Sequence, residues 1–257
     1  MNDRVREFYD DLAADYHLIF EQWDASVQRQ GAVLDALIRS YYPDPNQRPK
    51  VFDCSCGIGT QALGLALLGY RVHATDLSPK AAARARAEAE RLGTVLTVGV
   101  ADFRDLASQV PGQYDVVITC DNSLPHLLTV ADMEKALASI FSKVVDGGLF
   151  VASIRDYDRV LQEPPCATTP MVFDGEGGRR IVFQVWNWRN DGRIYDLDHF
   201  VVEQRGGTWK TECRTTAYRA ILRSELSELL RAAGFSEVTW HRSGETGYYQ
   251  PLVTAVR

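Results

Sequence analysis

A glycine turn flanked by acidic side chains could contact a nucleotide-like ligand. Gly57 and Gly59 directly follow the apolar run that begins at Val51. Glycines at such a turn let a ligand approach the backbone closely. Asp76 ends the next apolar run, where a carboxylate can accept hydrogen bonds from both hydroxyls of a ribose. Together these residues predict a site for an adenosine-containing ligand.

The spacing leaves two kinds of adenosine ligand open. The letters GIGTQA satisfy the looser dinucleotide fingerprint G-x-G-x-x-G/A. Asp53 lies four residues before Gly57, however, where its carboxylate would suit an ammonium group better than a pyrophosphate. Asp102 follows the third apolar run and could accept from an adenine amino group, while Phe103 covers the ring. These acids favour a ligand that carries an amino group.

Alternating elements must position these side chains. Strand-like and helix-like segments alternate from residue 50 to about 153, which predicts a doubly wound α/β sheet that is mostly parallel. Ser78 and Pro79 mark the start of one helix and Gly93 its end. The chain finishes with a helix and two strands, which allows a last antiparallel strand. Periodic apolar residues predict one helix over residues 3–18 and a second that ends before residue 41.

The pattern changes after Pro170. Three segments there alternate apolar and polar residues and are joined by the turn-like letters RNDGR and RGGT. They predict a small antiparallel β insertion at about 171–222. We therefore divide the chain into entrance helices at 1–44 and a main domain at 45–257 that contains this insertion.

Composition excludes some classes of function. The 257 residues carry a net charge of −6, so no broad basic field is available for sequence-independent nucleic-acid binding. The five cysteines show no paired zinc-ligand spacing, and we expect buried, reduced thiols and no metal. No window approaches the roughly 18 continuous apolar residues of a membrane span, so a cytoplasmic protein without a membrane partner is expected.

The segments FDCSCGIGT, GYRVHATDLS, ADF and YDVVITCDNSLPHLL resemble the class I S-adenosylmethionine-dependent methyltransferases. The resemblance implies a Rossmann-like sheet of seven strands with a final antiparallel strand. It also implies S-adenosyl-L-methionine as cofactor and S-adenosyl-L-homocysteine as product. Ser55 stands where the family usually has the first glycine of its motif. The cofactor-binding residues that we assign on this basis are Tyr16, Arg29, Asp53, Ser55, Gly57, Gly59, Asp76, Leu77, Asp102, Phe103, Cys120 and Asp121.

A closer resemblance concerns the methyl acceptor. The letters CDNSLPHL are similar to GNSFAHL of the glycine and glycine/sarcosine N-methyltransferases, and IRDYD is similar to their RNYD. This resemblance implies that Asn122 and His126 border the acceptor pocket. It further implies that Arg155 holds an acceptor carboxylate with Tyr157 beside it. The arginine that meets the methionine carboxylate in those enzymes corresponds to Ser26, and Arg29 is a substitute on the same helical face.

These observations predict an enzyme that transfers a methyl group from S-adenosylmethionine to a small molecule. We expect the acceptor to be the amine nitrogen of an amino-acid-like compound, and the protein to be a monomer or homo-oligomer. Alternatives within the class are an O-methyltransferase and an amino-sugar N-methyltransferase. A nicotinamide-dependent dehydrogenase and a non-catalytic cofactor sensor remain alternatives of another class.

Overall fold

A computed structural model describes residues 2–44, 46–175 and 178–257 of the chain. In chain order the helices are α1 (Asn2–Leu12), α2 (Trp23–Tyr41), α3 (Thr60–Leu67), α4 (Pro79–Arg91), α5 (Leu106–Gln109), α6 (Val130–Phe141), α7 (Tyr157–Val160), α8 (Arg223–Ala232) and α9 (Ser243–Thr246). The strands are β1 (Lys50–Asp53), β2 (Arg71–Asp76), β3 (Thr97–Val100), β4 (Tyr114–Thr119), β5 (Val144–Ser153), β6 (Met171–Gly175), β7 (Gly178–Trp188), β8 (Ile194–Arg205), β9 (Thr208–Arg219), β10 (Ser236–His241) and β11 (Leu252–Val256).

A seven-stranded sheet with the order β10-β11-β5-β4-β1-β2-β3 forms the centre of the described residues. Its strands run parallel from β5 to β3, and β11 pairs antiparallel with both β5 and β10. The residues Val116, Val117 and Ile118 of β4 are fully buried, as expected for a strand covered on both faces. The predicted doubly wound sheet with its antiparallel end is confirmed.

Two glycines allow the second N-terminal helix, α2, to pack directly against α3. A Cβ atom added to Gly31 of α2 would lie 2.6 Å from the Cα atom of Gly64 in α3. A Cβ atom on Gly64 would in turn meet the carbonyl oxygen of Val27. The backbones of α2 and α3 can approach this closely because neither residue has a side chain. The helix α2 therefore forms part of the wall around the carboxyl ends of the strands.

The β insertion forms a separate antiparallel sheet with the order β6-β7-β8-β9. Three of these strands were predicted, and β6 is an additional short strand at the edge. Gln184 pairs with His199, and His199 pairs with Arg214, so these three side chains share one face. Trp186 and Tyr218 lie on the same face two and four residues along their strands.

The first predicted helix is shorter than expected. It ends at Leu12, and a 3₁₀ turn occupies Tyr16–Ile19. The guanidinium of Arg214 donates to Asp15 at 2.6 Å, and that of Arg180 donates to the carbonyl of Phe20 at 2.7 Å. These two contacts hold the segment 13–22, which we call the N-terminal turn, against the antiparallel sheet. Within the described residues no helix is long and apolar enough to cross a membrane.

Candidate active site

The glycine turn after β1 forms the floor of a first cavity. Gly57 and Gly59 have φ angles of +54° and +96°, which a residue with a side chain adopts only with strain. A Cβ atom on Gly57 would lie 3.0 Å from the ring of Tyr16 in the N-terminal turn. The absence of a side chain at Gly57 therefore allows Tyr16 to pack closely against the glycine turn. The first cavity encloses about 860 Å³, part of it open to solvent.

Asp76 at the end of β2 is positioned by backbone donors. The amides of Gly57 and Ser78 each donate to one of its carboxylate oxygens at 2.8 Å. Burial raises the pKa of this carboxyl to about 6, while the bonds from Ser78 and Gly57 oppose the rise. Each carboxylate oxygen has a second lone pair, so Asp76 can still accept from the two hydroxyls of a ribose.

Asp53 is a buried carboxyl with an unsatisfied oxygen. Its Oδ1 accepts from the amide of Ser55 at 3.2 Å, whereas Oδ2 has no hydrogen-bond partner among the described residues. Burial raises the pKa of the Asp53 carboxyl to about 8. A buried acceptor without a partner is unfavourable by about 1–3 kcal/mol. A cationic ligand group near the turn would supply the missing partner and favour the charged form.

Asp102 lies beside the first cavity with a basic partner. Arg104 donates to its carboxylate at 2.8 Å and to Asp132 at 3.0 Å. These three residues and Phe103 all line the cavity. Asp102, the acid that follows β3, therefore lies at the cavity, and the guanidinium of Arg104 fixes its carboxylate.

Most of the predicted cofactor residues line the first cavity. Those that line it are Tyr16, Ser55, Gly57, Asp76, Leu77, Asp102, Phe103 and Asp121. Gly59, Asp53 and Cys120 are buried behind the wall. Arg29 instead lines a second cavity, and its guanidinium donates to Ser26 at 3.1 Å. No group of three or more His, Cys, Asp or Glu in the described part of the chain has a metal-binding arrangement.

The second cavity adjoins the first and is larger. It encloses about 1890 Å³ of space that is partly open to solvent. Its walls come from the N-terminal turn, α2, the ends of β4 and β5, and the inner face of the antiparallel sheet. Asn122 and Arg155, which were assigned to the acceptor from the sequence, both line this cavity. His126 lines the first cavity instead, and Tyr157 is fully buried behind the wall.

Arg155 presents a guanidinium that no carboxylate neutralises within the described residues. Its two terminal nitrogens donate to Tyr195 Oη at 2.8 Å and to Gln184 Oε1 at 2.9 Å. Its guanidinium carbon lies 4.6 Å from the ring centre of Trp186. The neighbouring Asp156 and Asp158 form ion pairs with Arg223 instead.

Asn122 and Tyr157 form one network that fixes the backbone at this edge. The side-chain oxygen of Asn122 accepts from the amide of Arg155 at 3.0 Å, and its nitrogen donates to Tyr157 Oη at 3.0 Å. Tyr157 Oη is also 2.9 Å from Tyr195 Oη. Asn122 therefore acts on the Arg155 position through the backbone, whereas Tyr157 acts on the guanidinium through the hydroxyl of Tyr195.

His126 is held in one tautomer. Its Nδ1 lies 3.2 Å from the carbonyl oxygen of Ala217, which can only accept, so Nδ1 carries the proton. Its Nε2 therefore accepts from the hydroxyl of Tyr9 at 2.8 Å. Burial lowers the pKa of His126 to about 3. The imidazole is thus neutral, and both of its nitrogens are engaged.

Several residues that line these cavities were not assigned as site residues from the sequence. Gln184, Trp186 and His199 line the second cavity, and Tyr9 lines both. The strand alternation predicted that Gln184 and Trp186 share a face, but only the pairing of β7 with β8 adds His199. Cys54 and Cys56 also line the first cavity as buried thiols, whereas Cys166 and Cys213 are exposed.

The comparisons with known proteins agree with this geometry. A family described as a methyltransferase domain matches residues 51–148. The chain is 28% identical over 157 residues to a glycine/sarcosine N-methyltransferase of Parasynechococcus marenigrum, covering 61% of this chain and 54% of that protein. It is 26% identical over 175 residues to the enzyme of the same name from Halorhodospira halochloris, covering 68% and 63%. The chain thus spans between half and two thirds of the length of these relatives.

A solved structure shares the fold over most of the chain. It is the SAM-bound amino pentose methyltransferase from Micromonospora echinaspora involved in calicheamicin biosynthesis, with 20% identity and a TM-score of 0.72. The match covers 90% of this chain and 92% of that one. At this identity the likeness concerns the fold alone.

The methyltransferase-domain match over residues 51–148 and the sequence relatives support the predicted class I S-adenosylmethionine-dependent methyltransferase that resembles the glycine N-methyltransferases, with S-adenosylmethionine as its cofactor. The first cavity fits S-adenosylmethionine: Asp53 would supply an unpaired acceptor for an ammonium group, and the backbone of Gly57 lines the cavity. Asp76 lies where ribose hydroxyls can donate to it.

Proposed function

We propose that this enzyme methylates the nitrogen of a small amino-acid-like compound whose carboxylate is bound by Arg155. The observation that carries the proposal is the guanidinium of Arg155 in the wall of the second cavity, without an acidic partner among the described residues. A guanidinium fork matches a carboxylate with two parallel hydrogen bonds. The sequence similarity to glycine/sarcosine N-methyltransferases supports nitrogen as the atom that is methylated.

Further donors on the antiparallel sheet support an oxygen-rich acceptor. Gln184 accepts from Arg155 through Oε1, so its amide nitrogen faces His199 Nδ1 at 3.3 Å and donates to it. The proton of the neutral imidazole then lies on Nε2. Neither His199 Nε2 nor Trp186 Nε1 has a partner among the described residues. Both residues line the second cavity, so unpaired donors accompany the guanidinium.

The size of the second cavity supports a second candidate, an amino sugar. The second cavity encloses more than twice the space of the first, so it leaves room for an acceptor larger than glycine. A structural neighbour that shares the fold over 90% of this chain is named as an amino pentose methyltransferase. Hydroxyl groups of a sugar would also accept from His199 and Trp186, although they would not need a guanidinium.

The residues of this chain would act mainly by positioning. S-adenosylmethionine supplies a methyl group on a sulfonium with a good leaving group, so catalysis requires in-line alignment more than covalent help. Arg155 would fix one end of the acceptor, held by Tyr195 and Gln184. Tyr9 and Tyr16 separate the two cavities and would exclude water from the point of transfer.

An acceptor panel tests the proposal. Purified enzyme with S-adenosylmethionine is given glycine, sarcosine, phenylalanine, glucosamine or catechol, and methylated products are measured by mass spectrometry. We expect methylation of at least one amino acid. Turnover of glucosamine alone would favour the second candidate, and turnover of catechol alone would contradict nitrogen methylation.

Arg155→Ala sharpens the test. We expect KM for the preferred amino acid to rise about 10- to 100-fold, because a charge-assisted hydrogen bond contributes about 1.5–3 kcal/mol. Arg155→Lys should recover part of the loss, since it keeps the charge without the fork. Arg179→Ala, an exposed arginine paired with Asp174, is the matched control. Unchanged KM in Arg155→Ala would exclude the carboxylate contact.

A further inference from the structure

Asp121 lies at the boundary of the two cavities. Among the described residues only Tyr9, Tyr16 and Asp121 line both of them, and Asp121 is the charged member of this set. Methyl transfer between a cofactor in one cavity and an acceptor in the other must take place at their shared boundary. The carboxylate of Asp121 would therefore lie next to the reacting atoms. The network of Asn122, Tyr157 and Arg155 does not include it.

The backbone at Asp121 is strained. Its φ angle is +57°, and that of Asn122 is +67°. The similar segment of the glycine N-methyltransferases, GNSFAHL, has glycine at the position of Asp121 (compare CDNSLPHL). A non-glycine residue in the left-handed region is uncommon, although Asp and Asn adopt it more readily than other residues, and its presence at a cavity points to a functional side chain. Asp121 thus carries a carboxylate at a position where the backbone conformation favours glycine.

Two tyrosines orient the carboxylate. The hydroxyls of Tyr248 and Tyr249 donate to the same oxygen, Oδ1, at 2.8 Å and 2.5 Å. The second oxygen is not occupied by either tyrosine. Burial raises the pKa of the Asp121 carboxyl, and hydrogen bonds from Tyr249, Gln61 and Tyr248 oppose the rise. The net effect is a raised pKa, which makes the Asp121 carboxylate a stronger base than an exposed aspartate.

Other groups near the boundary are poor proton acceptors. Burial raises the pKa of Tyr218 to about 12, and it raises the pKa of Tyr16, Tyr248 and Tyr249 well above the ordinary value. These phenols stay protonated. Asp121 lies close enough to Asp53 for its charge to raise the pKa of the Asp53 carboxyl. Asp53 does not line the second cavity, where the acceptor would bind. His126 has both nitrogens engaged.

We propose that Asp121 binds the ammonium group of the acceptor and removes the proton that must leave before the nitrogen can attack. This inference rests on the proposed nitrogen methylation and names the group that performs it. The acceptor would lie with its ammonium at Asp121 and its carboxylate at Arg155, since both residues line the second cavity.

The atoms and electrons balance. The proton moves from the acceptor nitrogen to a carboxylate oxygen of Asp121, and the electrons of the N–H bond stay on nitrogen as a lone pair. That pair forms the bond to the methyl carbon while the methyl–sulfur bond breaks and its electrons remain on sulfur. The products are the N-methylated ammonium, S-adenosylhomocysteine and a protonated Asp121, which returns its proton to solvent.

Asp121→Asn is the central test, because asparagine tolerates the left-handed region and keeps the shape of the side chain. We expect kcat/KM for the best amine of the panel to fall about 100-fold or more at neutral pH, as for loss of a general base. The deficit should shrink as pH rises towards the pKa of the free amine, since solvent then removes the proton. Binding of that amine to the complex with S-adenosylhomocysteine, measured by calorimetry, should weaken at neutral pH.

Asp121→Gly provides a second variant that fits the backbone, and it should show the same loss. Asp146→Asn, an exposed acid of β5 paired with Arg257, is the matched control. Equal kcat/KM in wild type and Asp121→Asn would overturn the inference while leaving nitrogen methylation intact. A tenfold weaker affinity for S-adenosylhomocysteine with unchanged amine binding would also overturn it and make Asp121 a cofactor residue. If the wild type methylates no amine, the proposed function itself fails, and the inference falls with it.

Discussion

Asp53 shows how one buried carboxyl can report on cofactor binding. Its pKa is raised to about 8 by burial, and its Oδ2 atom has no partner in the described part of the chain. The carboxyl is therefore mostly protonated at pH 7 in the ligand-free enzyme. An ammonium group of the cofactor would favour the charged form, so binding should expel the proton.

We expect about one proton to be released per S-adenosylmethionine bound near pH 7. Calorimetry in two buffers of different ionisation enthalpy measures this number. Asp53→Asn should bind the cofactor more weakly and release no proton from this position, and Asp146→Asn should behave as wild type. The same proton release in Asp53→Asn and wild type would show that Asp53 does not meet the ammonium.

The cavity residues that could be assigned from the sequence are those that follow directly on a strand end or lie in a turn. Gly57 and Asp76 could be assigned because the order of the elements alone brings them to one edge of the sheet. The boundary role of Asp121 could not be predicted, because it depends on where the N-terminal turn is folded across the sheet. His199 was missed for a similar reason, since only strand pairing places it beside Gln184.

At the scale of elements, the contact between α2 and α3 is set by Gly31 and Gly64. An alanine at Gly64 would place its Cβ atom against the carbonyl of Val27, which is backbone and cannot rotate away. We expect Gly64→Ala to lower the free energy of unfolding by roughly 1–3 kcal/mol, as for overpacking of a filled interior. Thermal or urea unfolding measures it.

Gly244→Ala is the matched control for this prediction. Gly244 lies in α9 with no atom within 4 Å of an added Cβ. Its replacement should change stability little or raise it, because alanine favours a helix more than glycine does. Equal stability of Gly64→Ala and wild type would mean that the helices can separate without cost.

The elements themselves were predicted unevenly. The central sheet followed from its long apolar strands and capped helices, such as α4 with Ser78 accepting from Ala81 at 3.0 Å. The strand β6 was missed because its residues are mostly exposed and carry no clear alternation. The end of α1 at Leu12 was missed because Tyr16 continues the apolar spacing while its backbone turns to contact the cavities.

For the whole molecule, buried histidines make stability depend on acid pH. Burial lowers the pKa of His199 to about 4, with Arg155 and Arg214 adding to the shift. Unfolding exposes an imidazole of pKa about 6.5 that takes up a proton. The stability contributed by the neutral His199 is therefore full above pH 6.5 and is lost as pH falls from there towards 4.

We expect His199→Gln to reduce the loss of stability between pH 7 and pH 5 by about 2 kcal/mol relative to wild type. Urea unfolding at several pH values measures the difference. His73→Gln is a less buried comparison, since His73 is only partly buried with a smaller lowering of its pKa. An identical pH dependence in His199→Gln and wild type would contradict a neutral, buried His199.

The N-terminal turn couples the binding of the cofactor to the binding of the acceptor. Tyr16 lies on the glycine turn and lines both cavities, while Asp15 and Phe20 tie the same segment to the antiparallel sheet. We expect a ligand in either cavity to contact Tyr16 and so to stabilise the observed placement of this segment. Each ligand must then tighten the binding of the other by the same factor, because linkage between two sites is reciprocal. The affinity for S-adenosylmethionine thus becomes a measure of whether the right acceptor is present.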